Sequence, residues 1–234
     1  KINEYGIKNT INYFNEKKRC NKFIFVSTCS NYGLVKKNIK IKETFPLKPL
    51  SLYADSKVKI EKILLNKKKK NFSPTIFRFA TAFGLSDRMR YDLTINQFVL
   101  EMYLNKEIQI YDHKTWRPYC HLKDFARLIY KSYTANRKVV DNQVFNVGSN
   151  KNNFNKLQIA QSINKYIKGN IKILKQSKDK RNYKVSFNKV EKKLKFKCYY
   201  GLDYGIKTIL QNLKKQKKTK LKKNFKLGNF QITK

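Results

Sequence analysis

The sequence predicts an α/β fold: a parallel sheet with helices on both faces, plus a smaller α/β domain. Three observations carry that expectation. "KFIFVST" (22–28) and "PTIFRFA" (74–80) are apolar runs rich in Phe, Ile and Val, bounded by polar residues. Such runs suit strands buried on both faces. Each run follows a segment with apolar residues three and four apart, and helix–strand alternation requires crossovers and hence parallel strands. The 234 residues, 41% hydrophobic, suffice for one or two cored domains.

In chain order, residues 2–18 read as a helix with Ile7, Ile11 and Phe14 on one stripe. The first strand spans 22–28. A loop with Pro46 and Pro49 leads to a helix at 51–67, whose inner face is Val58, Ile60, Ile63, Leu64 and Leu65. The second strand spans 74–80. A polar loop at 84–92 precedes a helix at 93–105 and the short strand "EIQIY" (107–111). Residues 122–135 read as helix and "QVFNVG" (143–148) as strand. The pattern ends with a helix at 155–167, an edge strand at 171–174 and a helix at 203–214. No internal repeat is visible.

The net charge of +39 invites a nucleic-acid reading. Of 54 basic residues, however, 8 are Arg and 46 are Lys. Readers of bases and phosphates favour Arg for its planar fork. The Lys comes with abundant Asn, Ile, Phe and Tyr, a set that A/T-rich codons explain equally well. Runs such as "NKKKKN" (66–71) and "KKQKKTKLKK" (214–223) read as a helix end and a tail. Aromatics fall at core periodicity, so sequence-specific nucleic-acid binding is not expected. No apolar run approaches the ~18 residues of a membrane span, and no membrane association is expected. Cys20, Cys29, Cys120 and Cys198 form no C-x-x-C pair, and His113 and His121 are the only histidines. No metal site is expected, and the thiols read as free in a reducing compartment.

Ligands of open parallel sheets sit at the carboxyl ends of strands. That places 27–33 and 81–84 on one rim, with Tyr53 opening the helix between them. Tyr53 and Lys57 share one helix face. The Tyr-x-x-x-Lys spacing also occurs at Tyr13/Lys17, Tyr32/Lys36 and Tyr119/Lys123, so spacing alone decides nothing. The frame does: "FIFVSTCSNYG" ends a strand, and "PLSLYADSK" follows.

That compound pattern resembles the extended short-chain dehydrogenase/reductase family, the NAD-dependent nucleotide-sugar epimerases and dehydratases. "INEYGIKNTI", "FRFATAFG", "DLTINQFV", "WRPYCHLKDFARLI", "FNVGS" and "DKRNYKVSFNKVEKKLKF" extend the resemblance over about residues 2–212. It implies a Rossmann-like sheet and a Thr28–Tyr53–Lys57 triad. Tyr53 exchanges the proton of a sugar hydroxyl, Thr28 orients that oxygen, and Lys57 favours phenolate and holds the nicotinamide ribose. Ser27 and Phe79 join Tyr53 and Lys57 as contacts of NAD or NADP. Asn96, Thr81, Arg117 and Arg181 meet the nucleotide-sugar substrate, the arginines through its diphosphate. Thr81 stands where the family usually has Asn. Trp116, His121 and Asp124 match the family and read as structural.

The resemblance also implies domain bounds: 1–83 and 113–148 in the cofactor domain, 84–112 and 149–213 in the substrate domain, 214–234 as a Lys-rich tail. The Gly-x-x-Gly-x-x-Gly turn that holds the pyrophosphate is not among the eight glycines. On the family's plan about 90–110 residues would precede Lys1. The chain is therefore expected to be a C-terminal piece, inactive alone, of a cytoplasmic and homodimeric enzyme. Cys29 and Ser30 stand where 4,6-dehydratases carry an acidic pair. A thiol and a hydroxyl cannot serve as that acid and base. The expectation is 4-epimerisation, or simple keto/alcohol reduction, rather than 4,6-dehydration.

Overall fold

A computed structural model of the chain describes residues 2–17, 22–35, 39–66, 72–174, 181–219 and 221. Its first elements are α1 (Ile2–Lys17), β1 (Phe23–Thr28), a 3-10 turn (Cys29–Tyr32), β2 (Lys40–Ile41), α2 (Leu52–Leu65), β3 (Pro74–Phe79) and β4 (Thr81–Phe83). Then come α3 (Thr94–Asn105), β5 (Glu107–Tyr111), β6 (Trp116–His121), α4 (Leu122–Thr134), α5 (Arg137–Val140) and β7 (Gln143–Val147). The remainder is β8 (Asn153–Asn155), α6 (Lys156–Asn164), β9 (Asn170–Leu174), β10 (Lys184–Val185), α7 (Asn188–Leu194) and α8 (Leu202–Lys214).

The central sheet has the order β1-β3-β7. All pairs are parallel, in register from Phe23↔Pro74 to Thr28↔Phe79 and from Thr75↔Gln143 to Phe79↔Val147. Every residue of β3 is buried, which is why it reads as a continuous apolar run. Successive side chains of β3 go to opposite faces. Ile76 joins Phe25, Ile11, Ile60 and Leu64 beneath α1 and α2. Phe77 and Phe79 join Leu128, Phe145 and Val190 beneath α4 and α7. Helices cover both faces, as the sequence predicts.

A second core lies among α3, β5, α6 and α8, built on Ile95, Val99, Met102, Ile108, Ile159, Ile163, Ile206 and Ile209. There β9 pairs with β5 in parallel. A sheet of order β4-β6-β8 links the two cores. No strand is predicted at 116–121, because "WRPYCH" lacks β-branched residues and contains Pro118. Pro118 lies opposite Asn153, at the end of the short β8 pairing, where a missing N–H is tolerated.

Residues 183–196 pack with the central sheet through Tyr183, Val185, Phe187, Val190 and Leu194. Residues 154–171 and 202–213, with Leu221, pack with the second core. Most of the Lys-rich tail lies outside the described residues. Leu221 is buried against the second core. Among the described residues, no helix is long and apolar enough to cross a membrane.

Candidate active site

The rim is built by three local choices. Ser51 caps α2 by accepting the amide of Ala54 at 3.2 Å, so Tyr53 falls in the first turn. Thr28 ends β1 and caps the 3-10 turn, its Oγ1 accepting the Ser30 amide at 3.1 Å. That leaves the hydroxyl hydrogen of Thr28 to donate. Gly33 closes the turn at φ +67°, and a Cβ there would lie 1.9 Å from the Lys48 carbonyl oxygen. The Lys48 amide in turn donates to the Asn31 carbonyl at 2.9 Å. The Tyr-Gly pair of the motif thus fastens the end of β1 to the segment that delivers Ser51 and Tyr53.

Tyr53 is 51% exposed. Lys57, one turn on, donates to the Val26 carbonyl at 2.8 Å. Its Nζ lies 4.7 Å from the Phe25 ring centre and 5.7 Å from that of Tyr53. Partial burial lowers the Lys57 pKa, opposed by the charge of Glu61. Burial raises the Tyr53 pKa, opposed by the nearby cation of Arg90. The phenol is therefore neutral at pH 7 in this state. Arg90 escapes a reading based on the motif, yet it is the cation acting on the phenol. Its guanidinium is steered by Asp92, Nε to Oδ1 at 2.8 Å and Nη2 to Oδ2 at 2.6 Å. The Arg-x-Asp spacing in the polar loop is the signal that could have found it.

The other Tyr/Lys pairs are sorted by environment. Tyr32 is buried, donating to Asn146 Oδ1 at 2.7 Å. Tyr119 is buried with its pKa pushed up to about 12 by desolvation. Tyr13 is exposed on α1, and its neighbour Phe14 packs edge-on against Phe23 at the start of β1, the end opposite Thr28.

Beneath the rim lies a polar network that the sequence reading does not anticipate. Glu61 Oε1 accepts the Ser27 hydroxyl at 2.5 Å and the Asn31 amide at 2.8 Å. Arg78 pairs with both Glu61 oxygens, Nε to Oε1 at 3.2 Å and Nη2 to Oε2 at 2.7 Å. Arg78 Nη1 donates to Tyr32 at 3.0 Å and to the Glu43 carbonyl at 2.9 Å. The hydroxyl of Ser27, expected as a cofactor contact, therefore points inward to Glu61. Phe79 is buried against Phe125, ring centres 4.0 Å apart. Cys29 is buried too, donating to the Arg78 carbonyl at 3.1 Å, and desolvation raises its pKa far above the thiol range.

Asn96 is buried and spans the 84–93 loop, accepting the Gly84 amide and donating to the Arg90 carbonyl, both at 3.1 Å. Thr81 sits half-buried on β4, opposite Tyr119. Arg117 and Arg181 do come together. Arg117 Nη1 donates to the Arg181 carbonyl, and Arg181 Nη1 donates to Ser30 Oγ at 3.2 Å. The Arg117 guanidinium lies 5.3 Å from the Tyr183 ring centre. Beside them a groove is lined by Asp112, His113, Lys114, Thr115, Ile173, Leu174 and Asn182. His121 and Asp124 serve structure: His121 caps α4, and both Asp124 oxygens accept backbone amides.

Residues 3–148 match the family model described as the NAD dependent epimerase/dehydratase family. This chain belongs to that family. Solved structures of similar fold include a dTDP-glucose 4,6-dehydratase from Bacillus anthracis in complex with NAD, with TM-score 0.77 and 21% identity over 92% of this chain and 68% of that one. A UDP-glucuronic acid 4-epimerase from Bacillus cereus, in complex with UDP-glucuronic acid and NAD, gives TM-score 0.73 and 23% identity over 83% of this chain and 62% of that one. A UDP-glucose 4-epimerase from Thermus thermophilus, in complex with NAD, gives 0.75 and 17% over 91% and 70%. At these identities the likeness is one of fold. In this chain Thr28 is the last residue of β1, and Tyr53 and Lys57 lie in the opening turns of α2.

Proposed function

We propose that this chain carries the proton-transfer and substrate-binding part of an NAD-dependent nucleotide-sugar oxidoreductase of the 4-epimerase type. The observation that carries the reading is the half-exposed Tyr53 phenol, one turn before Lys57 on a helix packed along β1, where β1 ends in Thr28. Lys57 and Tyr53 fit the nicotinamide-ribose end of NAD. The eight glycines of this sequence include no Gly-x-x-Gly-x-x-Gly turn for the pyrophosphate. When bound, NAD supplies a hydride acceptor and a positive ring.

The residues here do the rest. Thr28 donates its free hydrogen to the reacting sugar oxygen and fixes its direction. Tyr53, once its own proton has passed to solvent, takes that oxygen's proton as phenolate while the hydroxyl carbon is oxidised, and returns it when the ketone is reduced. Arg90 and Lys57 supply positive charge towards the phenolate that Tyr53 becomes. Arg117 and Arg181 meet the diphosphate, with the nucleotide towards the groove at Asp112–Thr115. No carboxylate follows Thr28. Cys29 is sealed in the core and Ser30 is engaged by Arg181, so this pair offers no acid and base for eliminating water. That supports epimerisation over 4,6-dehydration.

Tyr53→Phe tests the reading in a form of the protein that turns over a nucleotide sugar. Phe preserves volume, so kcat should fall by about 10²–10⁴-fold with KM within a few-fold. Tyr13→Phe, with the same spacing on an exposed helix, should leave kcat unchanged. Wild-type kcat in Tyr53→Phe would refute the assignment.

A further inference from the structure

Two thiols meet where β6 faces the strap joining α7 to α8. The Sγ atoms of Cys120 and Cys198 are 3.8 Å apart. Cys120, on β6, is fully buried, whereas Cys198, on the strap, is partly exposed. The strap is held independently of this contact. Asp124 accepts the amides of Tyr199 at 3.1 Å and Tyr200 at 3.0 Å, and Phe196 is buried two residues before Cys198. The backbone therefore presents Cys198 to Cys120 from a fixed position. Neither thiol takes part in the chemistry proposed above.

We propose that Cys120 and Cys198 form a site of thiol–disulfide exchange with small-molecule disulfides, ending in an intramolecular Cys120–Cys198 bond. Exposure sets the order of events. The Cys198 thiolate attacks one sulfur of the small disulfide, whose S–S bond breaks and releases one thiol. Cys120 then gives its proton to the solvent and attacks Cys198 Sγ, expelling the second thiol. Two protein thiols are oxidised and one small disulfide is reduced to two thiols. Closing the bond requires the sulfurs to approach from 3.8 Å to about 2.05 Å. Desolvation and the neighbouring Cys198 thiol hold the Cys120 pKa well above the usual thiol value, so the second step is the slow one.

A cation is the competing occupant, since Cys120, Asp124 and Cys198 offer ligand atoms within 4.8 Å of one another. The surroundings favour the disulfide. Both Asp124 oxygens already take backbone amides, and Arg127 Nη1 donates to Oδ1 at 2.5 Å. A positive guanidinium thus stands where a metal would need its third ligand.

The test uses the 234-residue chain carrying Cys20→Ser, treated with excess oxidised glutathione, acid-quenched, alkylated and mapped as tryptic peptides. The expected product is a Cys120–Cys198 linked peptide that dithiothreitol removes, with Cys29 alkylated only after unfolding. Cys120→Ala should stop at glutathione on Cys198, and Cys198→Ser should leave Cys120 reduced. The thermal midpoint of the linked form should exceed that of the reduced form and return with dithiothreitol. Glutathione persisting on Cys198 without the link overturns the proposal. So does an unreactive Cys198, or one equivalent of zinc that leaves on chelation and takes the thiols' protection with it.

Discussion

The guanidinium of Arg78 grips the carboxylate of Glu61, Nη2 to Oε2 at 2.7 Å, with both side chains almost fully sealed from solvent. The pair joins β3 to α2, and through Ser27 and Asn31 it reaches the end of β1. Burial alone would lower the Arg78 pKa, but Glu61 and Tyr32 raise it above its ordinary value, so Arg78 stays charged. Removing its partner leaves a buried charge uncompensated. Glu61→Gln should therefore destabilise the chain by about 3–5 kcal/mol. The double variant Glu61→Leu/Arg78→Met should recover most of that loss. Urea denaturation of the three proteins measures both quantities, and equal losses in the single and double variants would contradict the ion-pair account.

Gly33→Ala should act through the rim. The left-handed φ of +67° and the Lys48 carbonyl 1.9 Å from the new Cβ force the 48–50 segment outward. Ser51 and Tyr53 move with it. A lowered thermal midpoint is expected, with faster amide exchange at the start of α2 than in Gly6→Ala. Gly6 has open space around it. Unchanged exchange in Gly33→Ala would separate the turn from the helix start.

His121 sets an acid limit on stability. It is buried, and desolvation lowers its pKa to about 4, with Asp124 opposing and Lys123 assisting. The unfolded chain takes up the proton near pH ~6.5, so between that value and about 4 the unfolded state binds more protons. This contribution to stability is thus present above ~6.5 and lost as pH falls towards 4. His121→Asn keeps a side chain able to cap α4 and removes the titration. Wild-type stability should fall more steeply than that of His121→Asn as the pH drops from 7 to 4, measured by denaturation midpoints. Parallel curves would show that other groups carry the acid sensitivity.

These 234 residues should bind NAD weakly or not at all. Tyr53 and Lys57 serve one end of the dinucleotide, while the sequence contains no glycine turn opening a helix at the pyrophosphate. Calorimetry should detect no stoichiometric isotherm in the micromolar range. Such an isotherm would mean that other residues cradle the pyrophosphate.

Long periodic segments were legible in the sequence because burial writes itself into them. β1, α2, β3, α3, β5 and α8 begin and end within two residues of expectation. β6 was not legible, since a strand that carries Trp116, Arg117, Pro118 and His121 is specified by its neighbours and not by its own propensity. That Thr28 ends a strand and that Tyr53 and Lys57 open the next helix was legible too. What the motif could not show is direction: Ser27 turns in to Glu61, and Asn96 braces its own loop. The Cys120–Cys198 contact arises between segments far apart in the chain, where spacing carries no signal; for Arg90 the local Arg-x-Asp spacing is visible, but its approach to Tyr53 is not.

The order of the central sheet bears on how the molecule is made. β1 meets β3 only after all of α2 has been synthesised and folded back, and β3 meets β7 only after the second core's α3 and β5 and the linking strand β6 have intervened. Two long closures must be made before strand pairing repays their entropy. Arg78 and Glu61 lose their water in that same step, since each needs the other to be buried at all. Assembly of the rim should therefore coincide with the docking of β3, and substitutions at this pair should slow refolding as well as hasten unfolding.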